Sequence, residues 1–338
     1  MASLREIVGR STPVHPARAF WVCSPGRGAV RPVELPQPGR DDVRVRALRS
    51  GVSRGTETLV FRGGVPAELH ELMRAPFQEG DFSGPVKYGY LSVGVVEEGP
   101  EALRGSTVFC LHPHQTAYVV PASSVLRVPD AVPPDRAVLA GIVETAVNAL
   151  WDAAPRLGDR VTVVGAGMVG CCVARLLARI PGVQVTLVDL DPERAAVAAA
   201  LGAEFALPES AHGGQDLVLH ASATSAGLQL ALDLVVDDGT VTELSWYGDT
   251  EVVLSLGTGF HARRLGVRAS QVGRVASARR ETRTPTERLT LALDLLCDPA
   301  FDVLLTGRSR FEDLPDVLPR LASGDLPALC HVITYGEE

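Results

Sequence analysis

The run VTVVGAGMVGCCVARLLA, residues 161–178, leaves this chain little choice of fold. Val161 to Val164 are β-branched throughout and read as a short buried strand. Gly165, Gly167 and Gly170 follow at G-x-G-x-x-G spacing, and a helix opens at Met168 that runs until Pro181-Gly182 stops it. A second strand, VQVTLVD (183–189), ends on Asp189, nineteen residues after Gly170. Strand, glycine turn, helix, strand and acid in that order make a parallel unit that binds a dinucleotide. Gly165 permits the tight turn, Gly167 lets the backbone approach a pyrophosphate, and Gly170 lets the helix pack close to the strand. The free N–H groups around Met168 and Val169, with the positive end of the helix dipole, face the phosphates. Asp189 is placed to accept from ribose hydroxyls and to repel a 2′-phosphate. Leu190 and Asp191 add no cation, and Arg194 is the nearest base. These residues favour NAD(H) over NADP(H).

The same alternation continues downstream. Pro192–Leu201 reads as a helix ended by Gly202. DLVLHAS (216–222), a helix near 226–236, GTVTELS (239–245) and RLGVRAS (264–270) follow, with EVVLSL (251–256) as a further strand of the same sheet. Repeated strand–helix units imply a doubly wound parallel sheet, hence an α/β fold. The residues before about 146 read differently. VRVRALRSGVS (43–53), YLSVGVVEEG (90–99), STVFCLH (106–112) and TAYVVPASSVLRVP (116–129) are strands punctuated by Pro and Gly, with a short helix and polar loop over 65–81. After 271 comes a helix with Thr284 as N-cap, Pro285 at N1 and Glu287 at N3. A strand near 302–305, a helix near 314–322 and a last strand near 329–335 follow. The expected division is 1–146 with 271–338 as a β-rich unit and 147–270 as the cofactor unit.

Composition narrows the function classes. A net charge of −8 gives no basic surface for nucleic acid. No apolar run approaches a membrane span, and residues 1–20 lack a signal-peptide core, so the cytoplasm is the expected compartment. The six cysteines form no C-x-x-C pair and are expected to be reduced.

With these residues in view, the chain resembles the medium-chain dehydrogenase/reductase superfamily over nearly its whole length. GDRVTVVGAGMVG, VDLDPERAAVAAALGA and ASATSAGLQLALDLVVDDGTVTELSWYG carry the resemblance in the cofactor unit. SGVSRGTE (50–57) and GYLSVGVV (89–96) resemble the branch of bacteriochlorophyllide-type (hydroxyethyl) dehydrogenases, which lacks zinc. The resemblance implies a GroES-like catalytic domain beside a Rossmann domain, and cofactor contacts from Ala221 and Ser222 as well as the glycine turn. It also implies a homodimer. Where zinc members hold the metal with a Cys and a His, this chain has Ser53 and Tyr90, both poor zinc ligands at neutral pH. Glu144 stands where some members supply a third ligand, and the four-Cys lobe is missing.

Without a metal, hydroxyls must steady the alkoxide-like charge and move the proton. Tyr90 is the expected proton donor or acceptor, relayed through Thr56 or Ser53 and tuned by Glu57 and Glu144. Tyr88 shares its face, while Lys87, the only lysine, lies opposite as a surface or fold-stabilising residue. A rival places Cys110, His112 and His114 on one strand face as metal ligands; otherwise His114 lines a substrate pocket. Arg274 is a candidate for the cofactor's phosphates. The activity expected is NAD-dependent interconversion of an alcohol and a carbonyl on a small molecule. The alternatives are C=C reduction, a zinc enzyme with unusual ligands, or a non-catalytic nucleotide-binding protein.

Overall fold

The computed structural model describes residues 16–82 and 84–336. Of the stretch expected to lack a signal-peptide core, residues 1–15 lie outside the described residues. Six short strands form an all-parallel sheet in the order Glu204–Ala206, Gln184–Val188, Arg160–Val164, Leu217–His220, Thr240–Glu243, Gly266–Ala269. The order reverses beside Arg160–Val164, which opens a crevice at the C-terminal strand ends. The three central strands are largely apolar because helices cover both faces. Val161, Val163, Val185 and Leu187 pack with Cys172 and Leu177 of helix Met168–Leu177 and with Leu201 of helix Arg194–Leu201. On the other face Val164, Val218 and Val241 pack with Leu228 and Leu232 of helix Ser225–Leu234.

A second large sheet draws on distant parts of the chain. Its order is Leu305–Arg310, Cys330–Thr334, Asp42–Ser53, Ser92–Glu98, Thr107–Cys110, Val125–Arg127, with Ala117–Pro121 also paired to Asp42–Ser53. A four-stranded sheet of Arg27–Val33, Ala17–Ser24, Val86–Lys87 and Glu79–Gly80 lies beside it. Helix Ala140–Ala153 runs through position 146–147, so the expected boundary falls inside a helix. Its Ile142, Val143 and Val147 belong to one continuous core with Val93 of the mixed sheet and Val163 of the parallel sheet. The α/β class and its two-part arrangement are as expected. Among the described residues no helix is long and apolar enough to cross a membrane.

Three local readings need correction. Residues 251–256 are not a strand of the parallel sheet. Their alternation is real, with Val252 and Leu254 packed inward and Val253 exposed. The backbone N–H groups of Val253 and Ser255, however, donate to the side chains of Ser225 and Gln229 on the adjacent helix, at 3.0 and 2.8 Å, not to a strand. The strand expected near 302–305 is a 3-10 helix, Pro299–Leu304, started by Asp298 accepting from the Ala300 N–H; the strand begins at Leu305. The helix expected within 65–81 is a single 3-10 turn, Ala67–Leu69, whereas a true helix, Thr56–Arg62, opens inside the SRGTE motif. The capped helix Pro285–Leu295 has the expected reciprocal bonds between Thr284 and Glu287.

Candidate active site

The glycine turn fits a dinucleotide on steric grounds. Gly165 has φ +109°, and a Cβ there would lie 2.7 Å from the Ser222 nitrogen. A Cβ on Gly170 would lie 1.9 Å from the Gly165 carbonyl oxygen, so strand and helix meet at backbone contact. A Cβ on Gly167 would meet nothing within 4 Å. The space above it is open, at the point where helix Met168–Leu177 presents its first unpaired N–H groups. Asp189 is half-buried at the end of the second strand. Its Oδ2 accepts from the Ala166 N–H at 2.7 Å and its Oδ1 from the Asp191 N–H at 3.0 Å. Each oxygen keeps a lone pair for a sugar hydroxyl. Leu190 is exposed, Val169 half-buried, and Arg194 is turned onto Asp191 at 3.2 Å. The turn therefore gathers Gly165, Gly167, Met168, Val169, Gly170, Asp189, Ala221 and Ser222. The Arg274 side chain is exposed, and it is the Arg274 carbonyl that the fold uses, as an acceptor for Arg288 at 3.3 Å.

Five of the six residues expected to carry chemistry converge elsewhere, around Glu57 in the first turn of helix Thr56–Arg62. Glu57 is buried; its Oε1 accepts from the Ser53 N–H at 2.8 Å and its Oε2 faces His114 Nε2 at 2.8 Å. His114 Nδ1 faces Ser50 Oγ at 2.6 Å, and Ser50 Oγ faces the Tyr335 hydroxyl at 2.8 Å. With Glu57 accepting from an Nε2–H, a His114 ring bearing that single hydrogen takes the Ser50 O–H on Nδ1. The result is a polarised chain: Tyr335, Ser50, His114, Glu57. Tyr90 is half-buried, its ring 6.1 Å from that of Tyr88 and nearly perpendicular. Burial first, and then the Glu57 charge, push its hydroxyl up to about 12, while the hydroxyls of Ser53 and Thr56 act in the opposite sense. Tyr90 is thus a neutral O–H throughout the physiological range.

Glu144 does not belong to this cluster. Its carboxylate is held by Arg288 at 3.0 Å, both side chains buried, and Arg288 also binds Asn148 Oδ1 and the Val272 carbonyl. The pair fastens helix Ala140–Ala153 to residues 272–274, and the charge acting on Tyr90 is that of Glu57. Lys87 is not a surface residue either: it is 2% exposed and bonds Glu79 and Gln115. The three-ligand face fails because the strand ends at Cys110. His112 turns aside and stacks on Tyr118 with ring centroids 3.8 Å apart, while His114 is committed to Glu57 and Ser50. Among the described residues no three His, Cys, Asp or Glu side chains converge as metal ligands. All six cysteines are free.

Ser50 and Tyr335 were not among the expected site residues, and neither were His220, Glu243 and Tyr247. Tyr335 is 285 residues from Ser50, beyond any spacing rule. His220 and Glu243 had a signal: each is a titratable residue ending a parallel strand, His220 after the apolar run Leu217–Leu219, where ligands of such sheets bind. The two regions meet through residues 246–249. The Asp249 N–H donates to the Gly64 carbonyl at 3.1 Å, and Trp246 packs into the same apolar cluster as Tyr90. A cavity of about 1000 Å³ lined by Trp151, Arg179, Arg279 and Leu291 shares no residue with either region.

No family model matches the chain. It is 30% identical over 192 residues to the uncharacterized zinc-type alcohol dehydrogenase-like protein YphC of Escherichia coli K12, covering 49% of this chain and 54% of that protein. The match thus spans about half the length of that curated relative. Solved structures agree over far more of the chain. A candidate zinc-binding dehydrogenase from Sinorhizobium meliloti 1021, bound to NADP, superposes with a TM-score of 0.75 at 18% identity, covering 95% of this chain and 99% of that one. Acetophenone reductase from Geotrichum candidum NBRC 4597, in complex with NAD, gives 0.75 at 18% identity over 96% and 98%. The chain shares its fold with these solved structures.

Proposed function

We propose that the protein is an NAD(H)-dependent oxidoreductase that interconverts an alcohol and a carbonyl without zinc. The observation that carries this reading is the docking of residues 246–249, from the C-terminal edge of the parallel sheet, on helix Thr56–Arg62 and the Tyr90 cluster. A dinucleotide held by the Gly165–Gly170 turn and Asp189 would lie at those strand ends and would supply or accept the hydride. The chain's own residues then handle the proton. Reduction of a carbonyl leaves negative charge on oxygen that must be met by an O–H. Tyr90 donates it, and the hydroxyls of Ser53 and the partly exposed Thr56 relay a proton from bulk water back to Tyr90, so each hydroxyl ends the cycle protonated. Glu57 and His114 hold the turn at Ser53 and stay desolvated behind it.

Four further observations support the reading. Asp189 keeps acceptor capacity for a ribose hydroxyl, and the one base beside it, Arg194, is paired with Asp191, which favours NAD over NADP. Ser53 and Tyr90 stand where zinc members of the resembled family carry ligands, in keeping with its bacteriochlorophyllide-type branch. Free cysteines fit a reducing compartment, the cytoplasm. The edge strand Gly266–Ala269, with Val267 exposed, is a pairing surface for a second copy. In this proposal 147–270 serves the cofactor, and 1–146 with 271–338 serves the substrate.

The test is an assay of chelator-free protein against alcohol, ketone and enone panels with all four nicotinamide cofactors, alongside elemental analysis. Turnover of alcohol–carbonyl pairs with NAD(H) and no stoichiometric zinc is expected. Turnover confined to enones moves the activity to C=C reduction, and activity that tracks bound zinc overturns the metal-free reading.

A further inference from the structure

A second buried Glu–His–Ser chain lies at the C-terminal ends of two adjacent parallel strands, Leu217–His220 and Thr240–Glu243. His220 has no exposed surface. Its Nδ1 faces Glu243 Oε2 at 2.7 Å and its Nε2 faces Ser222 Oγ at 2.6 Å. Glu243 Oε2 also accepts the Tyr247 hydroxyl at 2.9 Å, and Oε1 accepts the Ser245 N–H at 2.7 Å. Burial alone would raise this carboxyl; the bonds from His220 and Ser245 outweigh it and keep Glu243 below the usual carboxylate range.

The polarity of the chain follows from the donor inventory. An ionised Glu243 only accepts, so His220 Nδ1 bears a hydrogen, and where that is the ring's single N–H, Nε2 is bare. The Ser222 O–H must therefore point at Nε2. Thr224 Oγ1 accepts the Gly227 N–H at 3.0 Å, and its own O–H fills the 3.0 Å contact to Ser222 Oγ. A hydroxyl has one donor and two lone pairs. Ser222 has spent the donor on His220 and one lone pair on Thr224, and a single lone pair remains. Its residue is half-buried against Gly165, at the mouth of the glycine turn. The arrangement is that of a hydrolase triad, but Oγ is wedged onto the start of helix Ser225–Leu234. A Cβ on Gly227 would lie 2.1 Å from it, which leaves no approach for an acyl carbon.

We propose that Glu243 and His220 are positioning residues that hold Ser222 as a hydrogen-bond acceptor for a ribose hydroxyl of the dinucleotide. A phosphate oxygen, which brings no hydrogen, is disfavoured at that place. The inference rests on the dinucleotide reading above and adds what sets the contact. Replacing Glu243 by Gln offers Nδ1 an amide N–H. The ring hydrogen then moves to Nε2, Ser222 must accept it, and the remaining O–H turns outward as a donor.

The test is NADH binding to the purified protein by fluorescence titration, with the thermal midpoint of each variant measured in parallel. S222A is expected to weaken NADH about tenfold, ~1.4 kcal/mol. E243Q is expected to weaken it by a similar factor. The double variant S222A/E243Q should bind no worse than S222A, because the carboxylate acts only through the hydroxyl. Losses that multiply in the double variant, or S222A binding NADH as the parent does, overturn the inference. If the parent protein takes up neither NADH nor NADPH, the dinucleotide reading falls instead, which separates the two failures.

Discussion

At the scale of single residues, two side chains carry opposite instructions about protons. Tyr90, with its hydroxyl pushed up to about 12, is a donor at every pH the protein meets. Y90F is expected to lower kcat for carbonyl reduction by about 100-fold or more, with NADH affinity unchanged in a direct titration. Loss of NADH binding in step with kcat would place Tyr90 in the cofactor pocket instead. His112 is pushed down to about 3, chiefly by burial against Tyr118, with Lys87 adding to it and the Pro113 carbonyl opposing. Its folded value lies below the unfolded one of ~6.5, so the unfolded chain takes up the proton first. Stability is intact above that unfolded value and falls as the pH drops from there toward 3, by about 1.4 kcal/mol per pH unit from this group alone. H112F keeps a ring on Tyr118, and melting curves between pH 7 and 4 should show a shallower decline than the parent's.

Among elements, the buried Arg288–Glu144 pair decides how the helix Pro285–Leu295 and residues 272–274 sit on helix Ala140–Ala153. R288M strands a carboxylate in the core, and a loss of roughly 3–5 kcal/mol is expected, read from urea unfolding. R288M paired with E144M should recover most of it; a double variant as weak as R288M would mean the cost was packing. How far the sequence disclosed these elements depended on whether their constraints were local. The Gly165–Gly170 turn was legible because three glycines, two of them at backbone contact, fall within six residues and Asp189 closes the unit. Residues 251–256 misled because an alternating pattern reports which side chains are buried and says nothing of where the backbone N–H groups go; here Ser225 and Gln229 receive them. Lys87 was read from its strand alternation alone. Glu79 and Gln115, which bury its ammonium group, lie on other segments. Glu57 and His114 were named, but the Ser50 hydroxyl lies on strand Asp42–Ser53 and that of Tyr335 just past strand Cys330–Thr334, two strands brought together only by the folded sheet.

For the molecule as a whole, the parallel sheet ends on a strand with one unpaired side. Among the described residues Gly266–Ala269 is bonded to Thr240–Glu243 alone, and Val253, Leu256 and Val267 are exposed. V267K should shift the protein from dimer to monomer in light scattering behind size exclusion, without loss of NADH binding. A parent protein that is already monomeric at micromolar concentration removes the edge-pairing proposal.

The mixed sheet has a consequence for how the molecule is made. Cys330–Thr334 lies between Leu305–Arg310 and Asp42–Ser53, and the Tyr335 hydroxyl reaches back 285 residues to Ser50. At a synthesis rate of about 5–20 residues per second, Ser50 leaves the ribosome roughly 15–60 s before its partner exists. The strands of the parallel sheet, between 160 and 269, come from a contiguous stretch of chain that is complete before that partner exists. The chain of Tyr335, Ser50, His114 and Glu57 closes only after it, so on the function proposed above a nascent chain takes up its dinucleotide before it is competent to use it.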